Sequence, residues 1–310
     1  MSTSPLTSRL VTAVVVTYQS ARTIRPALEA LRRSHDAGLV DLVVVDNGST
    51  DGTVEILQQE APWARLVLTG RNNGFGRGCN LGFADVGTPF SLFVNPDAVV
   101  EPDAVRAMLT FLKENEKAGI VGPAILEGDG SGAEQLQMAG ARPTPGSVVR
   151  AATPLLRHRA LAFPIVPGSP PVRTEWVCGA VLMIRSGLMR QLGGFDPRFF
   201  LYWEEMDLCR RAEASGFETW AVGAAVASHV GGASSASDDS RVGGCIAEHY
   251  YQSRYHYMTK HHGWLAATGA ELAEYGLLLA RTFVDGIRGR GLQRMGPRRR
   301  SRLLSLPERS

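Results

Sequence analysis

The chain has 310 residues, 44% of them hydrophobic and 20% charged, with a net charge of +3. A chain of this length buries enough apolar surface to hold one large domain, or one domain with an appendage, without disulfide or metal staples. So small a charge excess gives no ground for a nucleic-acid partner, and its arginines crowd towards the C-terminal end. Cys79, Cys178, Cys209 and Cys245 are scattered with no CxxC pair, which fits neither a disulfide framework nor a zinc site. The apolar run over 10–16 is too short for a signal peptide, and no stretch reaches the ~18 apolar residues of a membrane span. The expected compartment is the cytoplasm.

In chain order, 11–17 is a continuous β-branched run that reads as a buried strand. Residues 21–33 carry Ile24, Leu28 and Leu31 at helical spacing. A strand follows at 42–45, a helix at 53–59, a strand at 64–69, a helix at 74–83 and a strand at 90–94. This alternation predicts a mainly parallel sheet with helices on its faces, and ligands at the carboxyl ends of its strands. Residues 101–117 read as an amphipathic helix, and the Gly- and Pro-rich stretch 127–171 as loop with a helical piece. Further on come a strand at 176–184, a helix at 186–191, a turn at 193–196, a helix at 206–215 and a strand at 219–227. Past Gly232 the pattern changes to a Gly/Ser linker and helices, so the expected units are 1–232 and a helical, Arg-rich extension over 233–310.

Several constellations carry chemistry. Asp46, at a strand end, is followed by Asn47, Gly48, Ser49, Thr50 and Asp51. This is either a plain capped turn or a nucleoside cradle, in which Asp46 accepts from a pyrimidine N–H and Asp51 caps the next helix. The glycine-rich run around Gly74, Gly76 and Gly78 lets backbone approach a ligand at a helix start, but it is neither a P-loop nor a dinucleotide fingerprint. Asn95-Pro96-Asp97 leaves a carboxylate at a strand end, suited to a cation shared with phosphates, unless Asp97 only caps the next helix. Glu204, Glu205 and Asp207 beside Tyr202 and Trp203 repel one another unless a cation, a helix N-terminus or a substrate compensates. Asp207 is expected to pair with Arg211 one turn on, which leaves Glu205 unexplained and a candidate general base. His229, at the last strand's end, is either structural or a metal ligand. His256, His261 and His262 match no metal spacing.

In order, VVVTYQS (14–20), VVVDNGSTDGT (43–53), RNNGFGRGCNLG (71–82), FVNPDA (93–98), WVCGAVLMIR (176–185), GGFDPRFFLYWEEMDLCRRAEASGF (193–217) and ASHVGGAS (227–234) resemble the inverting glycosyltransferase family 2. The nearest resemblance within it is to bacterial rhamnosyltransferase-like enzymes of cell-wall and O-antigen assembly. The resemblance implies a GT-A fold, a nucleotide diphosphate sugar donor, a divalent Mg2+ or Mn2+, and a glycan or lipid-linked glycan acceptor. It places Thr17, Tyr18, Asp46, Asn72 and Gly74 at the donor, with Asn95 and Asp97 at the donor's metal. His229 joins that metal. Trp176 and Gly179 fall on the strand lining the acceptor site, with Glu204 on the same side. Glu205 stands where the family has a catalytic Asp, and Asn95 where its metal motif often has a first Asp. The implied reaction is one metal-assisted displacement with Glu205 as base. A sugar nucleotidyltransferase would instead favour a Gly- and Lys/Arg-rich loop after the first strand, where this chain has Tyr18-Gln19-Ser20. A non-catalytic subunit of a polysaccharide assembly complex would bind donor without turnover.

The C-terminal part offers one more expectation. Leu272, Tyr275, Leu279, Phe283 and Ile287 fall at helical spacing, and the stretch 281–302 is rich in arginine. Such segments lie on anionic membrane surfaces, the other readings being a solvated tail or an oligomer contact.

Overall fold

Strands that are apolar along their whole length must be covered on both faces, which calls for a helical layer on each side of the sheet. The computed structural model describes residues 9–127, 135–136, 138–153, 162–229 and 240–287, and it has this layered form. Strands β1 (Val11–Thr17), β2 (Val40–Asp46), β3 (Arg65–Leu68) and β4 (Phe90–Val94) pair in parallel in the order β3-β2-β1-β4. Every residue of β1 is buried. The crossover helices are α1 (Ile24–Asp36), α2 (Thr53–Glu60) and α3 (Phe75–Phe83).

Next come β5 (Ala98–Val100), α4 (Pro102–Glu114) and β6 (Ala118–Glu127), then the short β7 (Gln135–Leu136), β8 (Met138–Gly140), α5 (Pro145–Ala152) and β9 (Ala162–Pro164). The chain continues through β10 (Val172–Thr174), β11 (Val181–Arg185), α6 (Ser186–Gln191), α7 (Glu204–Ala214) and β12 (Glu218–His229). β11 inserts antiparallel between β4 and β6, and β12 runs parallel to β6, completing a mixed but mostly parallel sheet. One apolar cluster joins α1, α2 and α4 to one face, and a second joins α3, α6 and α7 to the other. Helices α8 (Ser240–His262) and α9 (Trp264–Ile287) lie beyond α7 and share a third cluster with α5, Phe199 and Trp203. The expected division at 232/233 and the Gly/Ser linker lie outside the described residues.

Differences from the sequence expectations have local causes. α1 starts at Ile24 rather than 21, because Ser20 O accepts from the amides of Thr23 and Ile24 and closes a turn first. β6 was not anticipated: Gly119, Gly122 and Pro123 interrupt its apolar pattern. A Cβ on Gly122 would stand 2.7 Å from Val177 Cβ, so the glycine is there for close packing. The strand expected over 176–184 is strand only from Val181, and residues before it form an irregular approach. α7 starts two residues earlier than expected, which puts Glu204, Glu205 and Asp207 in its first turn.

α3 lies unusually close to β1. A Cβ on Gly82 would come within 2.5 Å of Val14 Cγ1, and one on Gly78 within 2.7 Å of Val16 Cγ1. Both glycines therefore set the distance between helix and sheet beneath the site. Gly82→Ala should cost about 1–3 kcal/mol, the usual penalty for overpacking, and thermal denaturation should show the lowered Tm.

Candidate active site

Two loops meet at the carboxyl ends of β1 and β2. Thr17 and Asp46 face each other in the parallel register, and the Thr17 hydroxyl donates to Asp46 Oδ1 at 2.9 Å. Asp46 also accepts from the Ser49 hydroxyl at 2.6 Å and from the amides of Gly48 and Ser49 at 3.0 and 2.9 Å. With 2% exposure and both oxygens engaged, Asp46 shapes the turn, and a nucleobase N–H would have to displace one of these bonds. Asp51 accepts from the Thr53 amide and hydroxyl at the start of α2 and from the Ala21 amide, tying the two loops together. Gln19, at φ 53°, clasps the same loop through Ser49 and Thr50. Tyr18 beside it is exposed.

The glycine-rich loop completes this side. Asn72 accepts from the Gly74 amide, and the buried Asn47 donates to Gly74 O at 3.0 Å. Gly74 has φ 81°, and a Cβ there would stand 2.3 Å from Phe200 O. That carbonyl accepts from the Phe75 amide at 2.8 Å, linking the loop to the segment preceding α7.

At the end of β4, the Asn95 amide donates to Ala180 O at 2.8 Å. The chain then turns into β5, which pairs antiparallel with the end of β12 so that Ala98 faces His229. This register brings Asp97 Oδ1 to 3.1 Å from His229 Nε2, with Asp97 only 6% exposed. A carboxylate oxygen and an imidazole nitrogen form a two-donor set that fits a divalent cation completing its shell with phosphate oxygens and water. Among the described residues no three His, Cys, Asp or Glu side chains converge on one point, so a metal here would depend on its substrate for further ligands.

Glu205 stands in the first turn of α7, against Gly179. A Cβ on Gly179 would stand 3.3 Å from Glu205 Cβ and Cγ and 3.4 Å from its carboxyl carbon, so the glycine leaves the room the carboxylate occupies. Burial pushes the Glu205 carboxyl up to about 7, against the opposing pull of backbone N–H groups at the start of α7. Glu204 is 4% exposed with Oε2 unpartnered, facing Gly76 of α3. Burial, then the neighbouring Glu205 charge, drive it well above the carboxylate range. Glu204, expected on the acceptor side, is thus enclosed between α7 and α3. Trp176 is half-buried and donates its indole N–H to Ala141 O at 3.0 Å.

Tyr202 stands just before the acids and packs edge-on against Tyr250 of α8. Its phenol is raised by burial and then by the charges of Glu204, Glu205 and Asp97. Tyr202 and Trp203 hold φ of 68° and 73°, a left-handed pair of bulky residues directly before the acids.

Behind Glu205, α8 clamps the helix that carries it. Asp207 is fully buried and is reached by Arg211 Nε at 2.7 Å, Lys260 Nζ at 2.6 Å and His261 Nε2 at 2.7 Å. Burial works against its charge, but the His261 bond and the Arg211 and Lys260 charges prevail and hold it at about 2. Lys260 also meets Asp196 at 2.7 Å, where Arg198 and His256 gather as well. The three tail histidines are therefore partners of Asp196, Asp207 and Arg210.

Residues 12–159 match Glycosyl transferase family 2. The N-acetylglucosaminyl-diphospho-decaprenol L-rhamnosyltransferase of Mycobacterium tuberculosis is 30% identical over 277 residues, covering 82% of this chain and 86% of that one. The chain belongs to glycosyl transferase family 2. A hexosyltransferase of low-salt glycan biosynthesis from Haloferax volcanii is 25% identical over 64% of the transferase and 60% of its own length. The fold matches the mannosyltransferase of Pyrobaculum calidifontis, solved with GDP-Man and Mn2+, at TM-score 0.53 and 17% identity, over 88% of this chain and 75% of that one. The chain is a glycosyltransferase with a GT-A fold.

The clamp that Lys260 forms with Asp196 and Asp207 has no local signal in the sequence, because its partners are 64 and 53 positions apart. The raised Glu205 carboxyl has a consequence for stability. Below the ordinary carboxylate range it is protonated in both folded and unfolded chains. As pH rises the unfolded chain ionises first, and native stability is lost until Glu205 itself ionises near 7. Glu205→Gln should therefore raise Tm, by more at pH 8 than at pH 5, in paired thermal melts.

Proposed function

We propose that the transferase moves a hexose, with L-rhamnose the first candidate, from a nucleoside diphosphate to a polyprenyl-diphosphate-linked glycan, with inversion at the anomeric carbon. The reaction would run at the cytoplasmic face of the membrane carrying that lipid. The observation that supports the mechanism is the pairing of the buried Asp97 with His229 where β5 meets β12, together with a Glu205 carboxyl set in the space over Gly179. The lipid-linked acceptor and the sugar are supported by the mycobacterial relative, whose name specifies both.

In this reading the donor lies across the ends of β1, β2 and β4. Tyr18 offers its exposed ring to the nucleoside, and the turn shaped by Thr17 and Asp46 holds the base and ribose. Asn72 fixes the Gly74 loop against the sugar diphosphate. Asp97 and His229 would hold Mg2+ or Mn2+, near Asn95, and the cation when bound neutralises charge on the departing diphosphate. Trp176 and Gly179 border the acceptor. Glu205, poised near the working pH, takes the acceptor hydroxyl proton as that oxygen bonds the anomeric carbon and the bond to the diphosphate breaks. One displacement from the opposite face inverts the centre.

Residues behind the base hold it in place. Asp207 and Asp196 bind Lys260, so α7 cannot turn without breaking buried ion pairs. Glu204 has no proton-transfer role here, because its carboxyl is enclosed.

The test is transfer from dTDP-rhamnose and other nucleotide sugars to a synthetic polyprenyl-diphosphate sugar, with Mn2+ or with chelator. Glu205→Gln should lose on the order of 10²–10⁴ in turnover while still binding donor. The product should show a single inverted anomer by NMR, and chelation should stop the reaction. Near-wild-type turnover by Glu205→Gln, or a retained anomer, would refute the mechanism.

A further inference from the structure

Helix α9 is built inside out for a helix in water. Two of its charged side chains, Glu271 and Glu274, are 4% and 8% exposed and grip Arg254 of α8, itself buried, while half-buried Arg281 donates to Ala152 O. Its outward side chains include Trp264, Leu265, Leu272, Leu279, Phe283 and Ile287, from 48% to 76% exposed. The other exposed positions between them are alanine, glycine and valine, so among the described side chains of α9 every exposed one is apolar, with Thr268, Arg281 and Thr282 half-buried. A solvated surface helix shows the opposite pattern. Leu265, Leu272 and Leu279 recur every seven residues, with Phe283 and Ile287 each four further on, so they form one stripe. At 1.5 Å per residue that stripe is about 33 Å long. Tyr275, which the sequence spacing put on this face, is half-buried, and Trp264 and Leu265 extend the face in its place.

The inner face fixes the direction of the outer one. Ala267 and Ala270 pack in the cluster with Tyr255 and Met258, and Arg254 Nε and Nη2 meet Glu271 at 3.1 and 2.7 Å. Rotating α9 to hide the stripe would leave three buried charges without partners, which is strongly unfavourable. Among the described residues no helix is long and apolar enough to cross a bilayer, so the stripe suits lying on a membrane rather than spanning it.

We propose that this stripe docks the transferase on an anionic bilayer, with α9 lying in the plane of the headgroups. Charge selects this occupant over a second copy of the chain. From residue 288 to the end the sequence has eight arginines and one acid, Glu308, directly after the apolar stripe. Anionic headgroups attract such a segment, by ~1 kcal/mol per basic residue near the surface, whereas another positively charged tail repels it. The proposal rests on the lipid-linked acceptor of the proposed function for its purpose, since docking through α9 would hold α8, its clamp and Glu205 beside a substrate confined to that surface.

Flotation of the full-length protein with empty vesicles tests docking without requiring any acceptor. Phosphatidylcholine vesicles with and without phosphatidylglycerol serve as probes. Wild type should float with the anionic vesicles and much less with the neutral ones. Leu272→Glu/Phe283→Glu, which changes only exposed positions, should float at least ~10-fold less at an unchanged Tm. Replacing Arg298, Arg299 and Arg300 by alanine should weaken flotation and reduce its salt sensitivity. Equal flotation by the double variant, or a wild type that stays unbound, overturns the proposal. So does a wild-type dimer by light scattering that the double variant abolishes while vesicles bind neither. Because turnover with a water-soluble acceptor does not use the stripe, that activity should be equal in wild type and double variant. Its absence from both would indict the functional reading and leave the flotation result standing.

Discussion

Two adjacent glutamates in the first turn of a helix, Glu204 buried and Glu205 half-buried, are the constraint around which this transferase is arranged. Neighbouring like charges drawn out of water ionise together only at a cost. The fold resolves this by separating their environments. Glu204 is enclosed against α3, where burial favours its neutral form. Glu205 keeps backbone N–H groups beside it and the space over Gly179, so it remains able to ionise near neutrality. The third acid, Asp207, is held ionised by Arg211, Lys260 and His261. Three acids within four positions thus take three states, and only one is poised to exchange a proton around neutral pH.

That arrangement depends on distant parts of the chain. The segment before α7 lends Phe200 O to the Phe75 amide and folds Tyr202 and Trp203 into left-handed conformations. α8 donates Ser253 Oγ to Leu201 O at 2.8 Å and packs Tyr257 against Trp203. A single strip of backbone therefore touches the Gly74 loop on one side and the C-terminal helices on the other, with Glu205 just beyond its end. The C-terminal helices are thereby tied to the sheet domain, although the sequence pattern sets them apart from it.

Much of the architecture was legible from local patterns. The runs that became β1, β2 and β4 are apolar without interruption, and a strand buried on both faces must look like this. The strand ends at Thr17 and Asp46, and the turn after β4 that carries Asp97, were legible from the same pattern. β6 escaped because Gly122 and Pro123 break the pattern for the sake of close packing with Val177. Which of Glu204 and Glu205 is enclosed was not legible, because adjacent helical residues point about 100° apart and the start of α7 decides it. The ion-pair clamp and the inverted α9 depend on long-range pairing, on which spacing along a chain is silent.

The central claim is that Glu205 is the group whose ionisation limits transfer. The most direct measurement is kcat, at saturating donor and acceptor, from pH 5.5 to 9 for wild type and Glu205→Gln. The account predicts a wild-type rate that rises along one ionisation near 7 and levels above it, and a small residual rate in the variant without that inflection. A wild-type profile flat across this range, or the same inflection persisting in Glu205→Gln, would contradict it.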